Sequence, residues 1–520
     1  MKELPLGISA FEIIKQRNCL YVDKTEHIHR LVSSGTVYFL SRPRRFGKSL
    51  LVSTLKCLFQ GRKELFEGLW IASHGAWEWQ PHPIVLLDFN EIPHNSPEQL
   101  ARGLATRLRQ IAAEHDISLQ PNDLEWEFNQ LILALFQKTQ QPVVVLIDEY
   151  DKPLIDHLGR GEQGMTIAKA NRDILKTFFG VLKGATVSTA LRFVLLTGVS
   201  RFSRVSIFSE LNNLYDLSMS APYADMLGYT QAELERDFQP HLEQLAQTLG
   251  WPMAQLMAKL EQQYNGYRFS ERNIKVYNPF SILNALVDLA IKNYWFVSGT
   301  PTFLVNLLRE KQFHVADIEQ IEVTPSVFTT FDLDNLKSEA LLFQTGYVTI
   351  KDVQEELYIL GYPNQEVKVS FSESLLQSFF NGVDNGLSSH VWRLLKYLRG
   401  EEFERFIASV QTIFATIPYD IQTKRDEAYY HTLFYLMIAA SGGEARSSVL
   451  TNRGRIDLVI LFKDKVYILE FKCNQSAAIA LQQIKDKGYA EAYRGGERKI
   501  ILMGLNFSTE ERNLVEWQVE

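Results

Sequence analysis

The stretch VYFLSRPRRFGKSLLVSTLKCLF, residues 37–59, reads as an apolar strand, a basic loop and a helix in direct succession. Gly47, Lys48 and Ser49 stand where the loop meets the helix, which is the arrangement of a phosphate-binding loop. Backbone N–H groups around Gly47 would surround the phosphates. Lys48 would reach the β- and γ-phosphates of ATP, and Ser49 would bind Mg²⁺.

This loop departs from the usual pattern at its first position. Phosphate-binding loops open with a glycine four residues before the Gly-Lys pair, and Arg42 stands there instead. Because glycine permits a tight turn, Arg42 predicts a differently shaped start of the loop. Arg42, Arg44 and Arg45 add positive charge near the phosphates, and Arg45 is a candidate nucleotide-binding residue. The alternative for this segment alone is a basic turn that caps a helix.

A second apolar strand, residues 143–147, ends in Asp148 and Glu149. In phosphate-loop ATPases the first acid holds Mg²⁺ and the second polarises the attacking water. Acidic strand ends are common in α/β proteins, so this signal alone would be ambiguous. The order and spacing of the loop and the acidic strand end together indicate an ATP-binding site.

The strand predicted at residues 193–197 ends in Thr197, and Ser200 and Arg201 follow closely. Thr197 and Ser200 are candidates to sense the γ-phosphate. Arg201 is a candidate to approach the nucleotide in cis or from a neighbouring copy. Polar groups at strand ends also bond the backbone, and that alternative has equal weight here.

A second constellation lies near the carboxyl terminus. Glu470 and Lys472 are two residues apart on a predicted strand, so they share one face, and a hairpin can bring Asp457 beside them. Asp457 and Glu470 could hold Mg²⁺ or Mn²⁺, while Lys472 could orient water and stabilise transition-state charge. Glu427 on the preceding helix could be a third acid, and Gln483 on the following helix could bind the substrate backbone or the attacking water. This is the chemistry of metal-dependent phosphodiester hydrolysis.

The alternative to a hydrolytic site is a structural ion pair between Glu470 and Lys472 on one face of the strand, an arrangement that is common on strands. Asp457, Glu427 and Gln483 at the expected positions favour the hydrolytic interpretation. Net charge does not distinguish the two interpretations. Residues 421–520 contain 14 Lys and Arg against 13 Asp and Glu, so their overall charge does not indicate a basic surface for nucleic acid.

The pattern along the chain predicts a multidomain α/β protein. Residues 1–220 alternate apolar strands with helices, as in a three-layer fold with a mostly parallel sheet. Residues 221–300 are helical, residues 301–415 combine helices with a hairpin near 347–360 that could form a winged-helix unit, and residues 416–520 follow the order α-β-β-α-β. Lys351 would contact DNA if the hairpin were a wing, but a domain spacer is favoured. The strands predicted in the first region are 37–40, 84–89, 143–147, 193–197 and 214–217.

Composition excludes several classes of protein. The chain has 520 residues, 46% of them hydrophobic, and a net charge of −7, which is typical of a globular protein and not of a disordered or strongly basic one. Three widely spaced cysteines exclude a disulfide framework, and no apolar run approaches the roughly 18 residues needed to span a bilayer. A cytoplasmic location, without a membrane partner, is expected.

Several short motifs are spread along the chain: YVDKT (21–25), RPRRFGKS (42–49), IDEYD (147–151), GVSRF (198–202), YNGY (264–267), YNPF (277–280), FQTGY (343–347), GRID (454–457), EFK (470–472) and QQIK (482–485). In these motifs the chain resembles, over its whole length, the bacterial and archaeal family of predicted AAA-ATPases with a C-terminal PD-(D/E)XK nuclease-like domain. For this family Arg42 looks normal, and Ile456 replaces the nominal proline before the first nuclease acid. The resemblance implies an ATP-binding module with a helical lid and a winged-helix-like linker, fused to a restriction-endonuclease-like domain.

Three functions fit these observations. The first is an ATPase that gates or positions a metal-dependent nuclease acting on DNA rather than RNA, and a homo-oligomer is compatible with this function. The second is a nucleotide-switched interaction or signalling protein whose nuclease-like domain binds without cutting. The third is an ATPase that keeps the nuclease fold only as structure. The complete set of Asp457, Glu470 and Lys472 favours the first.

Overall fold

A computed structural model describes most of the chain, and the described residues form two units. The first contains Met1–Trp295 and Glu322–Ile359, and the second contains Leu360–Glu520 with a short preceding segment. The division into four regions with borders near residues 220, 300 and 415 stays a prediction. The structure describes residues 1–74, 77–201, 214–295, 304–305, 307–308, 318–328, 333, 337–380, 387–417 and 426–520.

A five-stranded sheet forms the centre of the first unit, in the order β2-β3-β4-β1-β5 with all neighbours parallel. All residues of β1 and β3 and nearly all of β4 are buried, because helices cover both faces of the sheet. The predicted parallel sheet is therefore confirmed. Its strands are β1 (Val37–Ser41), β2 (Ile84–Asp88), β3 (Val143–Asp148), β4 (Leu191–Gly198) and β5 (Tyr215–Asp216).

Apart from the last one, at residues 338–345, the helices described in the first unit fall into two groups. Those up to residue 190 accompany the sheet, and those from residue 231 to 288 enclose an apolar core of their own, together with Leu20 and Val22. The helices are α1 (Phe11–Gln16), α2 (Thr25–Ser34), α3 (Lys48–Phe59), α4 (Trp70–His74), α5 (Pro97–Glu114), α6 (Leu124–Thr139), α7 (Lys152–Ile155), α8 (Gly161–Gly180), α9 (Ala185–Ala190), α10 (Gln231–Asp237), α11 (Gln239–Leu249), α12 (Met253–Tyr264), α13 (Pro279–Asp288) and α14 (Ser338–Thr345).

The predicted helical region contains a break. Residues 231–249 form two helices, α10 and α11, that meet at Phe238. Pro240 stands in the first turn of α11 and cannot donate a backbone hydrogen bond, so it begins a helix rather than continuing one. None of the helices among the described residues is long and apolar enough to cross a bilayer.

A three-stranded sheet follows, in the order β6-β8-β7. It contains the predicted hairpin, shifted by one or two residues, and exposed Lys351 lies on its first strand. A third strand joins the hairpin, and the winged-helix interpretation stays a prediction. The strands are β6 (Ile321–Val323), β7 (Thr349–Gln354) and β8 (Leu357–Gly361).

The second unit contains another five-stranded sheet, in the order β13-β12-β11-β10-β9, in which only β11 and β12 run parallel. The predicted α-β-β-α-β order misses the two edge strands, β9 and β13. Both carry many polar residues and are only partly buried, so their sequences lack an apolar run. The elements are α15 (Gln365–Ser378), α16 (Leu387–Arg399), α17 (Phe403–Ala415), α18 (Glu427–Ala440), β9 (Glu444–Thr451), β10 (Gly454–Leu461), β11 (Lys465–Cys473), α19 (Ala477–Asp486), β12 (Lys499–Ser508) and β13 (Asn513–Val519).

Candidate functional site

The loop between β1 and α3 has the backbone of an anion-binding site. Gly47 has a φ of +92°, directly precedes α3, and no atom lies within 4 Å of where its Cβ would be. Lys48 is 5% exposed and its Nζ donates to the carbonyl oxygens of Arg42 and Pro43, at 3.0 and 3.2 Å. Burial lowers the pKa of Lys48, and the nearby Glu149 and Asp148 raise it. The lysine is thus held beneath the loop, with space open above Gly47.

The side chain of Arg42 is bound to protein groups, and its contribution of positive charge near the phosphates stays a prediction. Its side chain is 1% exposed and donates to the carbonyl oxygens of Ser41, Ser218 and Tyr223. The guanidinium carbon lies 4.2 Å from the centre of the Phe269 ring. Burial lowers the pKa of Arg42 to about 9. Arg42 therefore connects the start of the loop, through hydrogen bonds, to the segment that follows β5.

Arg45, the predicted nucleotide-binding cation of the loop, lies on the surface, as does Arg44. It has a φ of +69°, and its guanidinium carbon lies 4.7 Å from the centre of the Phe280 ring. A cation placed over an aromatic face in this way is weakly attracted to it. Arg45 therefore connects the loop to α13, and its contact with a nucleotide stays a prediction.

The acidic end of β3 lies at the same edge of the sheet as the loop. Asp148 is 3% exposed, and Thr197 Oγ1 donates to its Oδ1 at 2.5 Å. Strand pairing sets Asp88, at the end of β2, beside Asp148. Glu149 is half-buried and has a φ of +53°, a strained conformation of the kind that clusters at functional sites. The structure thus brings Lys48, Asp148, Glu149 and Thr197 to one edge.

Asp88 and Asp151 were not predicted as site residues. Burial raises the pKa of Asp88, although hydrogen bonds from Asn90 lower it. Asp151 is 1% exposed, and its Oδ2 accepts from the backbone N–H groups of Val199 and Ser200, at 3.0 and 2.6 Å. Burial raises the pKa of Asp151 to about 7. Asp88 could have been found, because it lies near the carboxyl end of the predicted strand 84–89, much as Asp148 lies at the end of the strand predicted at 143–147.

The turn after β4 carries Ser200 and Arg201. Ser200 is completely buried, and its hydroxyl has no hydrogen-bond partner among the described residues. Arg201 Nε lies 2.5 Å from Asp216 Oδ2, and its guanidinium also donates to the carbonyl of Phe328. The backbone N–H of Arg201 donates to Gln344 Oε1 at 2.8 Å. Arg201 is therefore engaged with protein groups, and its role at a nucleotide stays a prediction.

A partly apolar cavity opens beside the loop. Its lining includes Gly47 and Leu50 from the loop and α3, Tyr21 from the amino-terminal segment, and Met226 and Tyr229 from the segment before α10. Lys24 Nζ bonds Glu233 at 2.6 Å and so joins the two outer segments. The lining of the cavity is mainly apolar.

In the second unit, Asp457 on β10 stands opposite Glu470 on β11, since Leu458 pairs with Leu469. Asp457 Oδ2 accepts from the backbone N–H of Phe471 at 2.8 Å. His431 Nε2, from α18, lies 2.8 Å from the backbone oxygen of Asp457. The predicted hairpin therefore does bring Asp457 beside the Glu470 strand.

Glu470 lies at the centre of this group. It is 2% exposed, and its Oε1 accepts from Lys472 Nζ at 3.2 Å and from Gln483 Nε2. Its other oxygen, Oε2, is buried without a hydrogen-bond partner in the described parts of the chain. Burial and the charge of Asp457 raise the pKa of Glu470 to about 7, against the effect of Lys472. Burial also raises the pKa of Glu427, which Lys472 lowers.

Two separate parts of the chain match known protein families. Residues 5–208 match the family described as predicted AAA-ATPase, and residues 425–517 match the PD-(D/E)XK nuclease superfamily. An uncharacterized protein in the vnfD 5' region of Azotobacter chroococcum mcd 1 is 38% identical over 531 residues, which covers 100% of this chain and 99% of that protein. The chain belongs to this family of predicted AAA-ATPases with a C-terminal PD-(D/E)XK domain. An ATPase-like and a nuclease-like domain are thus joined in one protein.

The nuclease-like domain can be tested for its fit to a divalent cation. Glu470 Oε2 has no hydrogen-bond partner among the described residues, and the pKa of this carboxyl is raised beside Asp457 and Glu427. Both features are expected of carboxylates that bind a cation when that cation is not bound. Among the described residues, no three His, Cys, Asp or Glu side chains are close enough to hold one ion. Asp457 and Glu470 would therefore act as a pair. This suits Mg²⁺, which usually keeps water and substrate oxygens beside one or two carboxylates.

The AAA-ATPase-like domain contains groups that fit the phosphates and the Mg²⁺ of MgATP. The loop above Lys48 has backbone N–H groups and open space, and Ser49 lies on the first turn of α3. Asp148 lies at the neighbouring strand end, where Thr197 holds one of its oxygens. These are a phosphate site and a hydroxyl–carboxylate pair of the kind that binds Mg²⁺.

Proposed function

We propose that this protein is an ATPase that controls a metal-dependent nuclease in the same chain, and that the nuclease acts on DNA. The observation that carries the nuclease part is the geometry of one hairpin. Asp457 and Glu470 stand opposite each other, and Lys472 Nζ lies 3.2 Å from Glu470 Oε1. Two carboxylates that can hold a divalent cation, with an ammonium beside them, can support metal-dependent phosphodiester hydrolysis.

At the nucleotide site, the loop at Gly47 and the ammonium of Lys48 bind the phosphates. Ser49 and Asp148 are the proposed Mg²⁺ ligands, and Thr197 keeps Asp148 in place through the bond to Oδ1. Glu149 orients the attacking water. The buried, unpartnered hydroxyl of Ser200 supports a role in reading the γ-phosphate, together with Arg201. The cavity beside Gly47 is the proposed position of the nucleobase.

At the nuclease site, Asp457 and Glu470 hold the cation and Glu427 tunes the local charge from the start of α18. Mg²⁺ or Mn²⁺, when bound, would lower the pKa of a bound water and offset charge on the scissile phosphate. Lys472 holds the attacking water and stabilises the anionic transition state. Gln483, which donates to Glu470, keeps that carboxylate oriented.

Control by ATP is supported by the segment Gln344, Thr345, Gly346 and Tyr347, here called the coupling segment. Gln344 accepts a hydrogen bond from the backbone of Arg201, which follows β4. A Cβ on Gly346 would lie 2.7 Å from Pro43 of the phosphate-binding loop. The coupling segment thus touches both sides of the nucleotide site, and the chain continues from it through β7 and β8 into the second unit.

A second candidate function is a nucleotide-switched protein whose PD-(D/E)XK domain binds DNA or a partner without cutting. It is favoured by the absence, among the described residues, of a cluster of three metal-binding side chains. It is also favoured by Lys472 and Gln483, which already share one oxygen of Glu470. In this case the three groups would be a structural ion-pair network.

Cleavage of duplex DNA by the purified full chain, in Mg²⁺ and in Mn²⁺, with and without ATP, separates the two functions. The control for Asp457→Ala is Asp464→Ala, which removes an exposed carboxylate from the turn at the opposite end of β10. The proposal expects cleavage by the wild type and by Asp464→Ala, and none by Asp457→Ala. DNA binding without cleavage in every condition would favour the second function.

A further inference from the structure

The hairpin between β9 and β10 ends in an exposed tip, residues 450–455, which finishes two residues before Asp457, the proposed cation ligand. Leu450 is 82% exposed, the highest exposure of any large apolar side chain among the described residues. Leu450 pairs directly with Arg455 across the hairpin, so an apolar and a cationic side chain stand together. Burial of such a side chain against a partner is favourable.

Positive charge is concentrated at the same place. Residues 446–456 contain Arg446, Arg453 and Arg455 and no acidic residue, although residues 421–520 as a whole are almost neutral. Arg453 and Arg455 are exposed and have no ion-pair partner within the described ranges. Arg446 contacts Glu444 at 3.3 Å, and both side chains are more than half exposed, so that pair is weak. The tip is therefore a compact cationic surface around one leucine.

The tip is held in a fixed position relative to the catalytic carboxylates. Tyr489 OH donates to the backbone oxygen of Arg455 at 2.9 Å. A Cβ on Gly454, whose φ is +156°, would lie 2.8 Å from the same hydroxyl, so only glycine permits this contact. The Tyr489 hydroxyl also interacts with Gln483, which bonds Glu470. One chain of contacts thus connects the tip to the proposed cation ligand.

We propose that the hairpin tip is a wedge for duplex DNA, in which Arg453 and Arg455 bind phosphates and Leu450 enters a base step beside the scissile bond. The occupant follows from charge complementarity between the tip and a polyanion, and from the two-residue spacing between Arg455 and Asp457. Apolar side chains flanked by arginine are a known means of unstacking DNA bases. The inference rests on the proposed nuclease function and adds how that site selects and opens its substrate.

The test uses the full chain, Ca²⁺ in place of Mg²⁺ to hold the duplex uncut, and a DNA duplex with one 2-aminopurine. Leu450→Ser is compared with Val515→Ser, an exposed apolar residue on β13, the opposite edge of the sheet, about 19 Å away at the usual strand spacing. The double variant Arg453→Ala, Arg455→Ala is compared with Lys463→Ala, in the turn at the far end of β10. Salt dependence of binding, 2-aminopurine fluorescence and sedimentation are measured for each.

The proposal expects wild-type binding to raise 2-aminopurine fluorescence. Leu450→Ser should bind within about threefold of the wild type and lose most of this rise, while Val515→Ser keeps it. Removing both arginines should weaken binding at least tenfold and reduce the slope of log K against log salt by about 1.8, while Lys463→Ala leaves the slope unchanged.

Three results would overturn the proposal. If the wild type cleaves DNA but the tip variants bind and unstack it normally, the wedge fails and the nuclease function stands. If the tip variants change only self-association, the tip is a contact between copies of the chain. If the wild type neither binds nor cleaves DNA, both proposals fail.

Discussion

Gly346 packs so closely against Pro43 that a Cβ on Gly346 would lie 2.7 Å from Pro43 Cβ. Pro43 belongs to the phosphate-binding loop, and its carbonyl oxygen accepts from Lys48. Gly346 also has a φ of +88°, which disfavours any side chain. The coupling segment therefore rests on the loop whose shape should change when ATP binds.

We expect Gly346→Ala to disconnect the nuclease from ATP, because the added methyl group pushes the coupling segment off Pro43. Cleavage rates with and without ATP should become equal. The matched control is Gly250→Ala, which has a similar φ of +66° but no atom within 4 Å of the added Cβ. Both variants carry the backbone penalty of about 1 kcal/mol. A normal response to ATP in Gly346→Ala would argue against this contact as the coupling element.

The nucleotide site gives a two-step prediction. Lys48→Ala should abolish ATP binding in calorimetry, because the buried ammonium beneath the loop is lost. Glu149→Gln should retain ATP binding but lower phosphate release at least 100-fold, since the group that orients water is lost. Lys56→Ala, two turns further along α3, is the control. Unchanged ATP affinity in Lys48→Ala would place the nucleotide elsewhere.

The bond from Thr197 to Asp148 predicts a selective effect on Mg²⁺. Thr197→Val keeps the shape of the side chain but leaves one buried oxygen of Asp148 without its donor. We expect a stability loss of about 1–2 kcal/mol, together with a higher Mg²⁺ requirement for ATP hydrolysis. Thr177→Val, on the exposed side of α8, is the control. Equal Mg²⁺ dependence in both variants would mean that Thr197 does not position the ligand.

The strands and acids of both sites could largely be predicted from sequence because they depend on local patterns. One apolar run ends at Asp148, another begins directly after Asp457, and the two-residue spacing of Glu470 and Lys472 fixes their common face. The function of Arg42 could not be found in this way. Its bonds to Ser218 and Tyr223 join residues more than 170 positions apart, which no local pattern records.

The edge strands and the supporting residues escaped prediction for related reasons. β9 and β13 are polar and partly exposed, so neither has the periodicity of a buried strand. Asp151 acts through two backbone N–H groups of the turn after β4, a contact that only the parallel sheet creates. Tyr489 reaches Arg455 across 34 positions.

The carboxyl group of Glu470 predicts a pH dependence. Its pKa in the folded chain is about 7 and its usual value is 4.5, so folding favours the protonated form. The free energy of unfolding therefore has its full value below about pH 4.5. It falls by about 1–3 kcal/mol as the pH rises to about 7, because the unfolded chain loses the proton first. Mg²⁺ competes with the proton, so it should raise the melting temperature more at pH 8 than at pH 5.5.

Glu470→Gln is the matched variant, since its amide oxygen can still accept from Lys472 and Gln483. It should flatten the loss of stability between about pH 4.5 and 7 and remove most of the Mg²⁺ effect at pH 8. Thermal unfolding followed at several pH values measures both. An Mg²⁺ effect of equal size in Glu470→Gln would show that the cation binds at another site.

The central claim, that one chain uses ATP to control a nuclease, is tested most directly by single-turnover cleavage of duplex DNA in Mg²⁺. The wild type is measured without nucleotide, with ATP and with ADP, beside Lys48→Ala and Asp457→Ala. The account predicts that the wild-type rate differs at least tenfold between ATP and no nucleotide. It also predicts that Lys48→Ala loses this difference and that Asp457→Ala does not cleave in any state. A wild-type rate that is the same in all three nucleotide states, or cleavage that persists in Asp457→Ala, would contradict it.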